Sequence, residues 1–512
     1  MKKILRIGIF ILSLNAFSQN ASNLDTTFGT GGKVFTDFNG NSEVGNAMVI
    51  QPDGKIILAG TGIITIANGY DFCVARYNIN GSLDTTFGLN GKANFEITNF
   101  NSSTKRDYAT GVALQSDGKI VISGYCPESN FSSADNQFSV IRLNSNGTLD
   151  TTYGSNGILR FGFGSDNCVA NAMAIQSDNK VVIVGYSKTS STEDDFAIAR
   201  VNTDGTLDTD FSNDGKLIVS LETYDRAQAV TIQNDGKILV GGDANGKIGL
   251  VRITEFGNLD STFGTGGKVL TDLPSGSEEL VSIKTLSNGK IVCGGTRFNS
   301  QYNLLLVRYN TDGTIDTTFG NSGNTTIDLD NNSEDLAKNL EIQNDGKIIL
   351  VGDCYSGGTF YFAVTRCTAD GIIDNSFSGD GIQLTTMNSA DANAVKIQND
   401  GKIIVGGGNF LGGGNSGNFA IARYLGDSFL GINDFVVKKQ FILFPNPAKN
   451  YIQINFLNEG NINNDYSVLD INGRIVDNGS ISTNINQINI AHLTNGLYVL
   501  KINNENIKFI KE

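Results

Sequence analysis

The hexapeptide "LDTTFG" starts at Leu24, returns unchanged at Leu83, and returns with small edits at Leu149, Leu207, Leu259, Ile315 and Ile373. Consecutive copies stand 52 to 66 residues apart. Repetition at that period restricts the chain to a repeat architecture, in which each unit is a small supersecondary element stacked on its neighbours. The question is whether each copy binds something or builds something.

The content of one unit answers part of it. In the first, "GKVFTDF" from Gly32 reads as a short strand, "NAMVIQ" from Asn46 as a second, "KIILAG" from Lys55 as a third and "FCVARYN" from Phe72 as a fourth. A tight turn, "PDGK", joins the second and third. It recurs at Ser116, Ser177, Asn234, Ser287, Asn344 and Asn399. Asp-Gly and Asn-Gly between apolar strands are strong hairpin signals, because both residues tolerate positive φ. Glycine is in excess at 61 residues, no segment has helical periodicity, and short apolar runs end in Asp, Asn and Gly. The chain therefore reads as all-β. Four strands in each of seven units predict a seven-bladed β-propeller over residues 19–430, with small residues near the strand ends where sheets converge. A β-solenoid is the rival fold, although its coils are usually shorter.

A second recurrence sharpens the reading. The fourth strand ends in Arg each time: Arg76, Arg142, Arg200, Arg252, Arg308, Arg366 and Arg423. The hexapeptide Asp follows eight residues later as Asp84, Asp150, Asp208, Asp260, Asp316 and Asp374. Asp25 has no Arg eight residues before it and Arg423 no Asp eight residues after it. In a closed ring these two orphans meet, so the first hexapeptide is expected to dock beside the last blade and latch the circle. The Asp can accept backbone N–H groups of the turn that follows, and the Arg can hold the same carboxylate bidentately. The aromatic residue three places after the Asp packs the corner. Each copy then builds one corner; seven ligand sites are the functional alternative.

The pattern R-x-N-x-x-G-x-L-D-T-T-F-G, with "QxDGKI" between copies, resembles the delta-60 repeat family of secreted bacterial proteins across residues 24–424. The resemblance implies an exported repeat protein and no particular activity.

Both ends of the chain carry addresses. Residues 1–18, "MKKILRIGIFILSLNAFS", have a cationic start, a short apolar run and small residues Ala16 and Ser18, the anatomy of a secretory signal cleaved before Gln19. Cleavage would remove Lys2, Lys3 and Arg6 and take the formal charge from −14 to −17. After a linker at 431–440, residues 441–512 alternate like strands of a small sandwich. Phe444-Pro445-Asn446-Pro447-Ala448, "DINGR" at Asp470–Arg474 including Gly473, and "LTNGLYVLKI" from Leu493, including Gly496 and Tyr498, resemble the type A C-terminal sorting domain of the type IX secretion system in Bacteroidota. That resemblance implies an immunoglobulin-like β-sandwich as a second domain, the type IX machinery as partner, and a secreted or outer-surface location. An adhesive immunoglobulin-like module is the alternative.

Little in the chain suggests chemistry. Net negative charge disfavours nucleic acid and anionic membranes, and nothing after the signal resembles a transmembrane helix. The only His is His492, in the tail, which excludes His-dependent triads and His-based zinc sites from the propeller. No catalytic, metal or cofactor residues are assigned. Calcium is the alternative ligand for the Asp-dense "NTDGTLDTDFSNDGK" from Asn202, which lacks the EF-hand loop. The glycine-rich "GGGNFLGGGNSGN" from Gly406 reads as a loop. Cys73, Cys126, Cys168, Cys293, Cys354 and Cys367 show no framework spacing and read as packed thiols; Cys354 is expected to face Tyr361, not Cys367. Tyr70, Tyr125, Tyr186, Tyr224 and Tyr355 lie near variable loops, where they either contact sugars or pack the loops. The expected function is a non-catalytic binding scaffold for a glycan or surface protein. A carboxylate-dependent polysaccharide hydrolase or lyase is the alternative, marked by acidic residues that break the sevenfold pattern in a deep pocket.

Overall fold

The computed structural model describes residues 22–427 and 441–512, save 39–40, 65–68, 99–105, 129–134, 165–166, 191–192, 332 and 412–415 in the first span and 445–446, 457–462, 471–473, 483–486 and 503–504 in the second. The signal reading at 1–18 and the linker at 431–440 fall outside the described residues. The chain divides into two compact units, Met1–Ser428 and Phe429–Glu512.

The first unit is a seven-bladed β-propeller built from seven four-stranded antiparallel sheets. In each blade the inner strand is the one that precedes the Asp-Gly-Lys turn: Asn41–Ile50, Tyr108–Leu114, Cys168–Ile175, Asp225–Ile232, Ser277–Thr285, Glu334–Ile342 and Ala390–Ile397. Two middle strands follow, and they are apolar on both faces because each sheet is covered by a neighbour on either side. Ile56–Ile63 and Asp71–Tyr77, for example, are buried almost throughout. The outer strand is supplied by the segment after the next hexapeptide, so the sequence repeat and the blade are out of phase by one strand.

That offset closes the ring. Lys33–Thr36 has no blade of its own and instead becomes the outer strand of the last one, pairing Lys33 with Ala422 and Thr36 with Phe419. Just ahead of it, the Asp25 N–H donates to the Arg423 carbonyl at 2.8 Å, and the Leu425 N–H donates to Asn23 at 2.8 Å. An apolar cluster including Phe28, Met48, Leu58, Ile404 and Ile421 seals the seam between the last blade and the first.

Every inner strand carries one extra residue at the same place, a β-bulge at Asn46, Thr110, Asn171, Gln228, Val281, Lys338 or Asn393. All seven bulge residues line the central channel, and several staple the ring. Asn46 Nδ2 donates to the Ala109 carbonyl at 2.9 Å, Asn171 to Ala227 at 2.9 Å, and Asn393 to Gly45 at 3.1 Å. The bulge pushes the inner-strand carbonyl toward the second strand, where Gly60, Gly124, Gly185, Gly242, Gly295, Gly352 and Gly407 stand. A Cβ at Gly185 would overlap the Val169 carbonyl oxygen. These glycines therefore make room for a bulge, a more specific demand than the convergence of sheets. Gly185→Ala should destabilise the propeller by about 1–3 kcal/mol, the cost of shifting a packed backbone. An unchanged urea midpoint would show that the strand relaxes freely.

The second unit is a sandwich. One sheet orders Phe441–Phe444, Tyr451–Phe456 and Gln487–Asn489; the other orders Ile475–Ser482, Asn463–Leu469, Gly496–Ile502 and Glu505–Lys511. Ile452, Ile454, Val468, Leu500 and Phe509 fill it. All six cysteines lie buried in the propeller and none is joined to another by a disulfide, and Cys354 pairs across the ladder with Tyr361.

Candidate functional site

The Asp-Gly-Lys turns and the hexapeptide corners share one end of the ring. There the structure brings the repeated Arg and Asp together. Arg Nε lies 2.6–2.8 Å from Asp Oδ2 in the pairs Arg76–Asp84, Arg142–Asp150, Arg200–Asp208, Arg252–Asp260, Arg308–Asp316 and Arg366–Asp374. The orphans meet too, with Arg423 Nη2 2.9 Å from Asp25.

The contact is not the bidentate fork expected from the sequence. The Asp Oδ1 is occupied by the turn that follows; in the corner at Asp150 it takes the Thr152 N–H at 3.2 Å and the Thr152 hydroxyl at 2.7 Å. Oδ2 is shared between Arg142 Nε and Lys119 Nζ, 2.8 Å away. The guanidinium is therefore free to reach outward. Its Cζ lies 4.5 Å from the centroid of the buried Tyr153 ring, and its Nη1 donates to the Thr203 carbonyl of the next blade. Arg423 does the same across the seam, donating to the Ile79 carbonyl at 2.6 Å. Arg366 has no following turn to reach, because the repeats end; the Asp427 carboxylate takes its Nη1 at 2.8 Å instead.

The sequence reading missed the lysine. Lys55, Lys119, Lys180, Lys237, Lys290, Lys347 and Lys402 all reach the corner Asp, at 2.7–3.4 Å. The signal was present: the turn ends in Lys in all seven copies. Burial alone would raise Asp84, but Thr86, Lys55 and Arg76 more than reverse it and hold the carboxyl well below its ordinary range. The same balance takes Asp25 down to about 2. These carboxylates are committed to the corner on both oxygens. Among the described residues, no group of three or more His, Cys, Asp or Glu is placed to hold a metal.

A further set of acids escaped the sequence reading. Ten residues before the Asp or Asn of each turn stand Glu43, Asp107, Asp225, Glu278 and Asp335, with Cys168 and Ala390 in the other two copies. All five acids are buried. Asp107 accepts the Ile97 N–H at 2.9 Å, Asp225 the Glu222 N–H at 2.8 Å, and Asp335 the Leu329 N–H at 2.8 Å. They pin the loops that cross from one blade to the next at the opposite, open end of the ring.

Around the open mouth of the channel the sevenfold pattern fails. The residue two before each bulge is Val44, Tyr108, Val169, Arg226, Glu279, Leu336 or Asp391 in turn around the ring. The residue after each bulge-facing glycine is Thr61, Tyr125, Tyr186, Asp243, Thr296, Asp353 or Gly408. Blades 1 to 3 gather an aromatic arc. Tyr108 stacks between Tyr70 and Tyr125 with centroids 5.1 and 5.2 Å apart. In the adjoining stretch Arg226 lies 4.8 Å over the Tyr186 ring, held by Asp194 at 2.7 Å. Of the other loop tyrosines, Tyr224 and Tyr355 are exposed, and Tyr355 packs on Phe360 at 4.6 Å.

Blades 6 and 7 gather a charged arc. Lys338, the bulge residue of blade 6, lies 3.2 Å from Asp353, and Asp353 also takes the Ala392 N–H at 2.8 Å. Burial raises Asp353 against the pull of Lys338, and the neighbouring Asp391 raises it further. Burial likewise raises Asp391. Two carboxyls and one ammonium thus share a site; the corresponding positions of blades 4 and 5 hold Asp243 and Glu279, with Arg226 as the cation.

In the tail, Pro445, Asn446 and Gly473 fall outside the described residues. Pro447 is exposed and Gly496 opens a strand. Tyr498 is buried, stacks on Phe509 at 5.7 Å and donates to the Thr494 carbonyl at 2.8 Å. Asp470 holds Arg474 at 2.7 Å across the turn. His492 is half-exposed, 3.7 Å from Asp477.

Seven stretches, residues 51–87, 115–153, 176–211, 233–263, 286–319, 343–377 and 398–430, match the family described as a domain of unknown function (DUF5122) beta-propeller. The chain belongs to the DUF5122 propellers. Residues 442–512 match a secretion system C-terminal sorting domain. This DUF5122 propeller is therefore a protein exported to the cell surface by type IX secretion. No protein of curated function matches its sequence. Among solved structures, it is similar to a protein of unknown function from Dyadobacter fermentans (9% identity, 80% of this chain, 99% of that one, TM-score 0.43). It is also similar to Sqt1 from Chaetomium thermophilum (12% identity, 80% and 99%, TM-score 0.42). An alpha-L-arabinanase from Penicillium chrysogenum matches at 12% identity over 61% of this chain and 91% of its own, with a TM-score of 0.39. No helix among the described residues is long and apolar enough to cross a membrane.

Proposed function

We propose that the exported propeller is a binding scaffold that receives a saccharide polymer across its open mouth. The observation that carries this reading is the split of the two ends of the ring. At one end the seven hexapeptide carboxylates are engaged in closely similar corners. At the other, aromatic and charged arcs replace the repeat. Half-buried tyrosine rings offer flat apolar faces and a hydroxyl, the combination that suits a sugar ring. The paired arcs give such a ligand a direction.

A second reading is favoured by one observation, the Asp353–Asp391 pair beside Lys338. A carboxyl raised by burial is suited to general acid catalysis, and a second carboxyl nearby is the partner a hydrolase or lyase needs.

One titration addresses both. Polysaccharides are titrated against the purified chain by calorimetry and then incubated and assayed for new reducing ends. Binding should weaken about tenfold or more in Tyr108→Ala/Tyr125→Ala. New reducing ends that disappear in Asp353→Asn would select the enzymatic reading, and failure of every polymer to bind would refute both.

A further inference from the structure

Below the mouth, the channel encloses about 390 Å³. Three residues beyond each bulge, the inner strands carry Val49, Ala113, Ala174 and Thr231 in blades 1 to 4, then Lys284, Glu341 and Lys396 in blades 5 to 7. Three strand residues advance roughly 10 Å, so this level lies deeper than the bulge lysine, Lys338. Lys284 Nζ and Lys396 Nζ each stand 2.9 Å from the same oxygen, Glu341 Oε2. The two ammonium groups therefore lie within twice that distance of each other.

This is a poor arrangement for stability alone. One carboxylate faces two cations, and a net positive charge is left on the channel wall. The cost is visible at Lys284, whose ammonium is disfavoured by burial and by Lys396 beside it. Each ammonium has three donors, and one each is directed to Glu341. Both lysines line the cavity, together with Ser282 and Asn339. A cavity of this volume lies within the usual range for a small-molecule site, about 300–1,000 Å³.

We propose that the channel binds one small carboxylate anion, no larger than a single sugar acid, between Lys284 and Lys396. The anion supplies the missing negative charge and takes donors that Glu341 leaves unused. Low-dielectric walls concentrate the field of the excess cation inside the channel, although the chain as a whole is acidic. The site stands apart from the open-face reading and does not depend on it.

The test is calorimetric titration of the full chain with sodium glucuronate in low-chloride buffer, with glucose as the uncharged control. One glucuronate should bind per chain and glucose should not. Lys396→Met should weaken glucuronate binding about tenfold or more, because half of the cation pair is lost. Glu341→Gln removes the competing carboxylate and should tighten binding, a gain that damage to folding cannot mimic. Absence of glucuronate binding in both the native chain and Glu341→Gln would overturn the proposal. So would equal affinity for glucose, or a glucuronate affinity indifferent to Lys396→Met in a variant that melts like the native chain.

Discussion

Arg423→Ala is expected to lower the stability of the propeller by about 3–5 kcal/mol, the usual penalty for stranding one member of a buried ion pair. Arg423 is the largest single investment in the seam. It pairs with Asp25 at 2.9 Å, lies 4.5 Å over the Phe28 ring and donates to the Ile79 carbonyl of the first blade. Asp25 is 3% exposed and would keep only Lys402, at 3.1 Å, as a charged partner. Urea denaturation followed by fluorescence checks the size of the effect. Limited proteolysis checks its place: the first cuts in the variant should fall near residues 22–37, where the strand that closes the ring would loosen. A double variant, Arg423→Met/Asp25→Leu, should recover much of the loss, since no charge is left buried without a partner. A single variant that denatures like the native chain would show that backbone pairing alone latches the ring.

Acid should open the corners. A carboxyl whose folded value is depressed stabilises the fold above its unfolded value, near 4, and that contribution is lost as pH falls through the folded value. Asp25, drawn down to about 2 from 3.8, contributes roughly 2 kcal/mol on this basis. Asp84, Asp150, Asp208, Asp260, Asp316 and Asp374 are lowered by the same set of partners. The acids of the open end act with the opposite sign. Asp225, Glu278, Asp335, Asp353 and Asp391 are raised by burial, so their contribution is present below the unfolded value and fades as pH rises toward the folded one. Stability should therefore peak in mildly acidic solution and fall steeply below about pH 4. Urea midpoints between pH 8 and pH 2.5 measure both flanks. Asp25→Asn should flatten the acidic flank; a midpoint insensitive to pH below 4 would refute the assignment.

The fold was legible because its signals recur. A turn of Asp-Gly-Lys between apolar runs, copied seven times, names strands, hairpins and blade count together. The Arg–Asp offset of eight residues even places the two chain ends side by side. The bulges were not legible: nothing in "GNAMVI" marks Asn46 as an extra residue, and only the glycines opposite report it. The site was harder for a related reason. Tyr108 and Tyr125 are cross-strand neighbours in one blade, but Tyr70 and Tyr186 come from the blades on either side and join them only when the blades stack, and Lys338, Asp353 and Asp391 are spread over blades 6 and 7 in the same way. Comparing copies at one repeat position, instead of searching for a motif, would have exposed them. Lys284, Glu341 and Lys396 are likewise the fifth, sixth and seventh occupants of a single position.

The phase offset between repeat and blade has a consequence for how the protein reaches its destination. The first strand has no partner until Ser416–Tyr424 has been delivered, and the sorting domain follows that strand by fewer than twenty residues. A chain cut short anywhere before the last blade leaves Lys33–Thr36 unpaired and the ring a broken arc with raw edges. Such edges invite aggregation and proteolysis. Closure thus acts as a test of completeness: the fold is finished only in a molecule whose synthesis has already run to the threshold of its export tag.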